Sequence, residues 1–294
     1  MLQNNTPIEY HSEVKLWVKR EDLSCDGPRF SKTRGVLAHI AARPERMIGV
    51  LDTFHSQGGW AVARACAELG RECHLWYPVY KADDPQTVRP QQMEAMKLGA
   101  ILYPLPAGRS AILYHTAKKQ LLGAVEARQV EASVFGYMMP NALKLPESVS
   151  ETAAELVRSH VEGPPDATSS SGGVNYHRMD NVLVSCSSGT IAAGVLKGLA
   201  EIGWSGNLIL HMGYDRSEDA LIDYLFDMSG VTPFGPGSSI VLQTVNERYS
   251  YKDEAPRGAS APFPCNSHYD LKAYDWWQRN HQFYAGETLL WNIG

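Results

Sequence analysis

The sequence predicts an α/β protein. Short apolar runs alternate with helix-like stretches along most of the chain, the rhythm of strands joined by crossover helices. The composition agrees: of 294 residues, 44% are hydrophobic and 20% charged, which excludes wholesale disorder and collagen-like structure. That length suits one large domain or two modest ones.

The elements read in order as follows. Val14 to Val18 is a strand and Lys32 to Ala42 a helix. Met47 to Leu51 is a buried strand, followed by an Ala-rich helix from Gly59 to Leu69 that Gly70 ends at a C′ position. Cys73 to Tyr77 is a strand, Thr87 to Leu98 a helix closed by Gly99, and Ala100 to Tyr103 the next strand. Helices follow at Ala111 to Glu126 and Ser148 to Val161, the latter with Ser148 as its N-cap. Gly163 to Asn175 holds Pro, Ser and Gly with almost nothing to bury, so it is expected to be an exposed, mobile connection. Val182 to Ser185 resumes as a strand, then a helix from Thr190 to Ile202, a strand from Leu208 to Met212 and a helix from Ser217 to Asp227. Gly230 to Ser267 reads as loop-dominated. Asp270 to Asn280 is an aromatic-rich helix and Thr288 to Ile293 a last strand.

Charge and cysteine usage narrow the class. The formal net charge is −5, which argues against a surface built to grip nucleic acid or anionic lipid. No apolar run approaches the roughly 18 residues of a membrane span. The polar stretch from Met1 to Glu13 has no signal-peptide core. The five cysteines (25, 66, 73, 186, 265) form no CxxC pair, so neither a disulfide framework nor a metal knuckle is expected. The expectation is a cytoplasmic protein without metal.

Four segments carry chemistry. Lys19-Arg20-Glu21-Asp22-Leu23 precedes Arg29-Phe30-Ser31-Lys32-Thr33-Arg34. A lysine at a helix start meets the positive end of the helix dipole, which with partial burial favours the neutral amine a Schiff-base nucleophile needs. Taken alone, Lys32 reads more readily as a surface lysine in a basic first turn. Ser185-Cys186-Ser187-Ser188-Gly189-Thr190 lies between an apolar strand and a small-residue helix. Such a turn offers backbone N–H groups and hydroxyls to a phosphate, though it matches neither dinucleotide nor triphosphate fingerprints; the alternative is an ordinary strand–helix turn. Thr53-Phe54-His55-Ser56-Gln57-Gly58-Gly59 is a second polar turn at a helix start, suited to a carboxylate, with His55 open as a structural histidine. Tyr249-Ser250-Tyr251 and His268-Tyr269-Asp270-Leu271-Lys272-Ala273 place tyrosines in a loop-rich region, where packing is the plainer reading.

Together and in this order, the segments resemble the fold type II pyridoxal-phosphate enzymes, which include tryptophan synthase β chain, threonine dehydratase and cysteine synthase. The Lys-Arg-Glu-Asp lead-in and the Lys32-Thr33-Arg34 ending are most similar to 1-aminocyclopropane-1-carboxylate deaminase and D-cysteine desulfhydrase. The resemblance runs from about Val14 to the C-terminus. It implies two open, mostly parallel α/β domains with the active site in the cleft between them. The larger, cofactor-binding domain would hold residues 1–33 and 151–294, and the smaller inserted domain residues 34–150.

The resemblance assigns roles. Lys32 falls on the lysine that forms the Schiff base with pyridoxal 5′-phosphate. Ser56 falls where the substrate carboxylate or a proton relay is served, and Gln57 beside the cofactor's ring hydroxyl. Ser185, Cys186, Ser187, Ser188, Gly189 and Thr190 fall on the phosphate cup. Tyr251 and Tyr269 fall on two active-site tyrosines, and Asp270 on the residue facing the pyridine nitrogen. The sequence departs from the pattern at Gln57 (usually Asn), at Arg29-Phe30 (usually two glycines) and at Trp291-Asn292-Ile293-Gly294 (usually His-Thr-Gly-Gly). The leading implication is a lyase or deaminase acting at Cα or Cβ of a small amino acid. The departures leave room for an enzyme modifying an amino-acid adduct by decarboxylation or elimination, as in phage nucleotide hypermodification or secondary metabolism. A catalytically inactive relative is the third reading, and Lys32 argues against it. The partner is a small-molecule substrate, and the family implies a homodimer.

Overall fold

The computed structural model describes residues 5–28, 31–52, 56–79, 88–128, 135–162, 175–232 and 239–294. Thr53-Phe54-His55, Arg29-Phe30 and residues 163–174 of the expected connection lie outside the described residues. The chain divides into two compact units, Met1–Ser31 with Ser148–Gly294, and Lys32–Glu147.

The first unit is built on six strands: β1 (Ile8–His11), β2 (Leu16–Arg20), β7 (Met179–Cys186), β8 (Gly206–Met212), β9 (Ile240–Val245) and β10 (Glu287–Asn292). Their order is β1-β2-β10-β7-β8-β9, with β1 antiparallel to β2 and the remaining pairs parallel. The helices α5 (Pro146–Glu162), α6 (Thr190–Glu201), α7 (Glu218–Ser229) and α8 (Asp270–Asn280) complete it. Alternation along the strands assigns the faces. Val182, Val184, Leu208, Leu210 and Trp291 pack with Ile191, Val195 and Leu199 of α6 and Leu221 and Leu225 of α7. Leu183, Ile209 and Leu290 pack the opposite face with Ala273, Trp276 and Trp277 of α8. Covering both faces is why these strands read as unbroken apolar runs. A Cβ added at Gly194 would stand 2.5 Å from Thr152 Cβ, so this glycine sets how closely α6 approaches α5.

The second unit carries a parallel sheet of order β5-β4-β3-β6, from β3 (Met47–Leu51), β4 (Glu72–Val79), β5 (Ile101–Pro106) and β6 (Gly136–Met139). Its helices are α1 (Thr33–Ala41), α2 (Gly58–Glu68), α3 (Pro90–Lys97) and α4 (Ser110–Ala127). Gly70 and Gly99 follow α2 and α3 with φ of +63° and +91°, the left-handed stop their sequence positions suggest.

Three strands escaped the sequence reading: β1, β6 and β9. Each is short, and β9 is an edge strand with Val241 58% exposed, so its apolar run lacks the density of a buried strand. Two helix starts also differ. Ser148 is not an N-cap: Pro146 opens α5, as its fixed φ favours, and Ser148 lies buried inside the first turn. Pro90 opens α3 in the same way. Among the described residues no helix is long and apolar enough to cross a membrane, and no group of three or more metal-ligating side chains occurs.

Candidate cofactor site

In a parallel sheet the loops after the strands converge on one edge, and ligands settle at the carboxyl ends where the strand order reverses. In the first unit that edge carries the Ser185–Thr190 turn after β7, the Gly213–Ser217 loop after β8, Tyr249 and Tyr251 beyond β9, and the chain end after β10. Connections run outward from β7 through β8 to β9, while β10 pairs on the other side of β7, so the reversal lies between β7 and β10.

The turn after β7 has the make-up of an anion cradle. Gly189 adopts φ +87°, and a Cβ there would also stand 2.9 Å from Leu221 Cδ1, so only glycine fits. The first-turn N–H groups of α6, beginning at Thr190, lack intrahelical acceptors by geometry and so can hold a phosphate. Ser188 Oγ lies 3.1 Å from Thr190 Oγ1, and Thr190 Oγ1 lies 2.9 Å from the Tyr224 hydroxyl. Ser185 Oγ is buried with no hydrogen-bond partner. Cys186 is buried, and its carbonyl accepts from Gly213 N at 2.9 Å.

Asp270 opens α8 at its first helical position; the N-cap itself is Tyr269. The Asp270 side chain is fully buried. Oδ1 accepts from Ile293 N at 3.1 Å, just beyond β10. Oδ2 is buried and unpartnered. Burial pushes the carboxyl up to about 7, against backbone N–H groups that favour the anion and with the nearby Asp22 charge adding to the rise. Ile293 also accepts from Ser31 N at 3.1 Å, so the residue preceding Lys32 sits two backbone links from Asp270.

Tyr269 shares hydrogen bonds with Ser187 and Tyr251, and burial raises its phenol well above the ordinary value. Tyr251 is 38% exposed and meets Tyr214 edge-on at 5.4 Å. Lys272 is buried, donates to Gly213 O at 2.8 Å and lies 4.5 Å over the Tyr249 ring.

The remaining expected residues belong to the second unit. Lys32 is buried at the N-cap of α1, and its carbonyl accepts from Val36 N at 3.0 Å. Ser56 is buried, and its Oγ accepts from Gly58 N at 2.9 Å. Gln57 is the N-cap of α2 through its backbone, and its Oε1 is buried without a partner.

The Lys-Arg-Glu-Asp segment is structural. Lys19 Nζ donates to Glu155 Oε1 at 2.6 Å and Thr6 O at 2.7 Å. Thr6 Oγ1 donates to Glu21, and Arg20 forks onto Asp22 at 2.9 Å through two nitrogens. Asn292, one of the departures at the chain end, donates to Asp22 Oδ1 at 3.1 Å and Pro264 O at 2.8 Å, tying that end to the turn that follows β2. The sequence reading missed Tyr224 and Arg216, the latter donating to Ser187 O at 2.7 Å. Their signal was position: Arg216 lies in the loop after a parallel strand.

A phosphorylated pyridine fits what is present. A left-handed glycine and the N-terminus of a helix suit the phosphate, and an unpartnered carboxylate oxygen suits a protonated ring nitrogen.

No protein-family model matches the chain. A curated relative, the glycyl-dTMP PLP-dependent decarboxylase of Pseudomonas phage M6, is 47% identical over 304 residues, covering 100% of both chains. Among solved structures, an ACC deaminase homologue superposes with a TM-score of 0.73 at 16% identity, over 99% of this chain and 89% of that one. A fungal L-serine ammonia-lyase from Rhizomucor miehei gives 0.62 at 13% identity, over 98% and 93%. A threonine deaminase isoform from Solanum lycopersicum gives 0.59 at 13%, over 100% and 84%.

Proposed function

The chain belongs to the fold type II pyridoxal-phosphate-dependent enzymes, and from that premise we propose that it decarboxylates an amino-acid adduct of a nucleotide. The full-length 47% identity to a glycyl-dTMP decarboxylase carries this reading. The deaminase alternative rests on the similarity of fold alone, at 13–16% identity.

The residues divide the work. The N–H groups of Cys186 to Thr190, with the Ser187, Ser188 and Thr190 hydroxyls, hold the cofactor phosphate, and Ser185 Oγ serves the same turn. Asp270 holds a proton at the ring nitrogen, because an adjacent anion favours the cationic form of a base. Lys32 binds the cofactor through its amine and afterwards delivers a proton to Cα, where loss of carbon dioxide leaves the carbanion. Bound pyridoxal phosphate supplies the electron sink that stabilises the carbanion left when a bond to Cα breaks. Ser56 keeps its hydroxyl proton for the substrate carboxylate, since its oxygen already accepts from Gly58. Gln57 Oε1 takes the ring hydroxyl. Tyr269 stays a neutral phenol across the working range and delivers its proton with Tyr251 as relay. The unit of Met1–Ser31 with Ser148–Gly294 acts as the cofactor-binding domain and Lys32–Glu147 as the smaller one, and the enzyme is a homodimer.

Incubation of the cofactor-loaded enzyme with glycyl-dTMP should release carbon dioxide and leave the aminated, carboxyl-free nucleotide. A panel of free D- and L-amino acids should release neither ammonia nor sulfide. Ammonia from a free amino acid, with the adduct untouched, would overturn the reading in favour of deamination.

A further inference from the structure

Arg216 is a half-buried cation on the carboxyl edge of the first unit's sheet. Its Nη1 donates to Ser187 O at 2.7 Å, and among the described residues no carboxylate oxygen comes within the 4.0 Å of an ion pair. The neighbouring acids are spent elsewhere: Asp215 Oδ1 accepts from Asn246 at 2.9 Å, and Glu218 accepts from Thr244. A guanidinium has five N–H donors in a planar fork matched to phosphate oxygens. A partly desolvated one without a carboxylate is a candidate receptor for an anion brought by a ligand.

That anion is not the one in the cup. In a trans peptide C=O and N–H point to opposite sides, and the Ser187–Ser188 bond is not among the cis bonds. Arg216 grips the Ser187 carbonyl, so it stands on the side opposite an anion held by the Ser188 N–H. Two residues before it, Tyr214 stands edge-on to Tyr251, and Tyr251 is hydrogen-bonded to Tyr269, which reaches Ser187. Partly exposed aromatic rings beside a cation are how proteins take a nucleobase and its phosphate together.

Building on the nucleotide-adduct reading above, we infer that Tyr214 and Arg216 form a nucleotide subsite: the Tyr214 ring stacks on the pyrimidine and the Arg216 fork binds its 5′-phosphate. The phosphate belongs either to a free nucleotide or to a nucleotide within a strand.

The test is calorimetric binding of dTMP, thymidine and a short thymidylate oligonucleotide to the cofactor-loaded enzyme, its Arg216→Gln variant and its Tyr214→Leu variant. The bound cofactor's visible band and the melting temperature report folding. The wild type should bind dTMP, or the oligonucleotide, at least about tenfold more tightly than thymidine, a charge-assisted contact's effect. Arg216→Gln should bring that ligand down to the level of thymidine while leaving thymidine unchanged. Tyr214→Leu should weaken all three by about fivefold or more. Tightening by dTMP alone assigns a free nucleotide, and by the oligonucleotide a strand. An undiminished preference for phosphate in Arg216→Gln, or no binding by the wild type, would overturn the subsite. If binding depends on Arg216 yet glycyl-dTMP is not decarboxylated, the reaction assignment fails and the subsite stands. Decarboxylation with an unchanged KM in Arg216→Gln is the reverse.

Discussion

Lys19 and Asp270 are both fully buried charged residues of the same unit, and they are built in opposite ways. Lys19 is surrounded by acceptors: Glu155 at 2.6 Å, the Thr6 carbonyl at 2.7 Å, and Glu21 at 3.9 Å. Asp270 has backbone N–H groups at one oxygen, and its other oxygen is buried with no partner. A closed charge network contributes a fixed geometry and needs nothing further. An open one costs about 1–3 kcal/mol for the unsatisfied group until something arrives to bond it. The difference separates scaffold from receptor within one unit, and five substitutions, one of them a control, can break or sharpen it.

The largest effect on stability should come from the closed network. Glu155→Ala leaves Lys19 as a buried cation without its main partner, which should cost about 3–5 kcal/mol. Chemical denaturation reads this directly, and the visible band of the cofactor in the surviving folded fraction should keep its position. A cost near zero would mean that the network is not closed in the way the distances describe.

Asp270→Asn should do the reverse. The shape is kept and the charge removed, so the fold and the bound cofactor should remain while turnover falls at least about a hundredfold, about 2.7 kcal/mol of barrier. The same variant tests the buried carboxyl's titration. Its folded value is raised to about 7 above an unfolded value near 4. Between the two the folded apo-protein binds more protons than the unfolded chain, so apo stability should fall as pH rises from about 4 to about 7. Asp270→Asn should flatten that part of the pH–stability curve, and adding cofactor to the wild type should flatten it too.

Thr190→Ala should lower cofactor affinity about tenfold, the worth of one hydroxyl bonded to a charged group, at about 1.5–3 kcal/mol. Tyr224 loses its Thr190 partner in this variant, so Tyr224→Phe is the control: it removes the hydroxyl contact at 2.9 Å and leaves the cup. The smallest effect belongs to Ser185→Ala. Its Oγ is buried and unpartnered, so apo stability should change by less than about 1 kcal/mol or rise slightly, while cofactor affinity drops.

The sequence makes the fold readable where periodicity and punctuation are strong. Parallel strands buried on both faces stand out as apolar runs, and Gly70 and Gly99 mark helix ends because a left-handed residue is needed there. Edge strands such as β9 do not stand out, because one side of each meets water and the apolar signal is diluted. In the site, the Ser185–Thr190 turn is visible as small, hydroxyl-bearing residues between an apolar strand and a helix, and its order with the other segments separates it from an ordinary strand–helix turn. The role of Lys19-Arg20-Glu21-Asp22 was not, since its partners Glu155 and Asn292 lie 136 and 270 residues away in the chain from Lys19 and Asp22. Arg216 carries only a positional signal, because its contact is a backbone carbonyl, which leaves no residue-type signature.

Three lysines are buried among the described residues: Lys19, Lys32 and Lys272. Lys19 is held by Glu155 and the Thr6 carbonyl, and Lys272 by the Gly213 carbonyl. Lys32 alone opens a helix and follows the residue that links through Ile293 to Asp270. Borohydride reduction of the cofactor-loaded protein, followed by peptide mapping, tests the account most directly. The pyridoxyl label should fall on Lys32, and a Lys32→Ala protein should take up none. A label on Lys19 or Lys272, or undiminished labelling of Lys32→Ala, would contradict it.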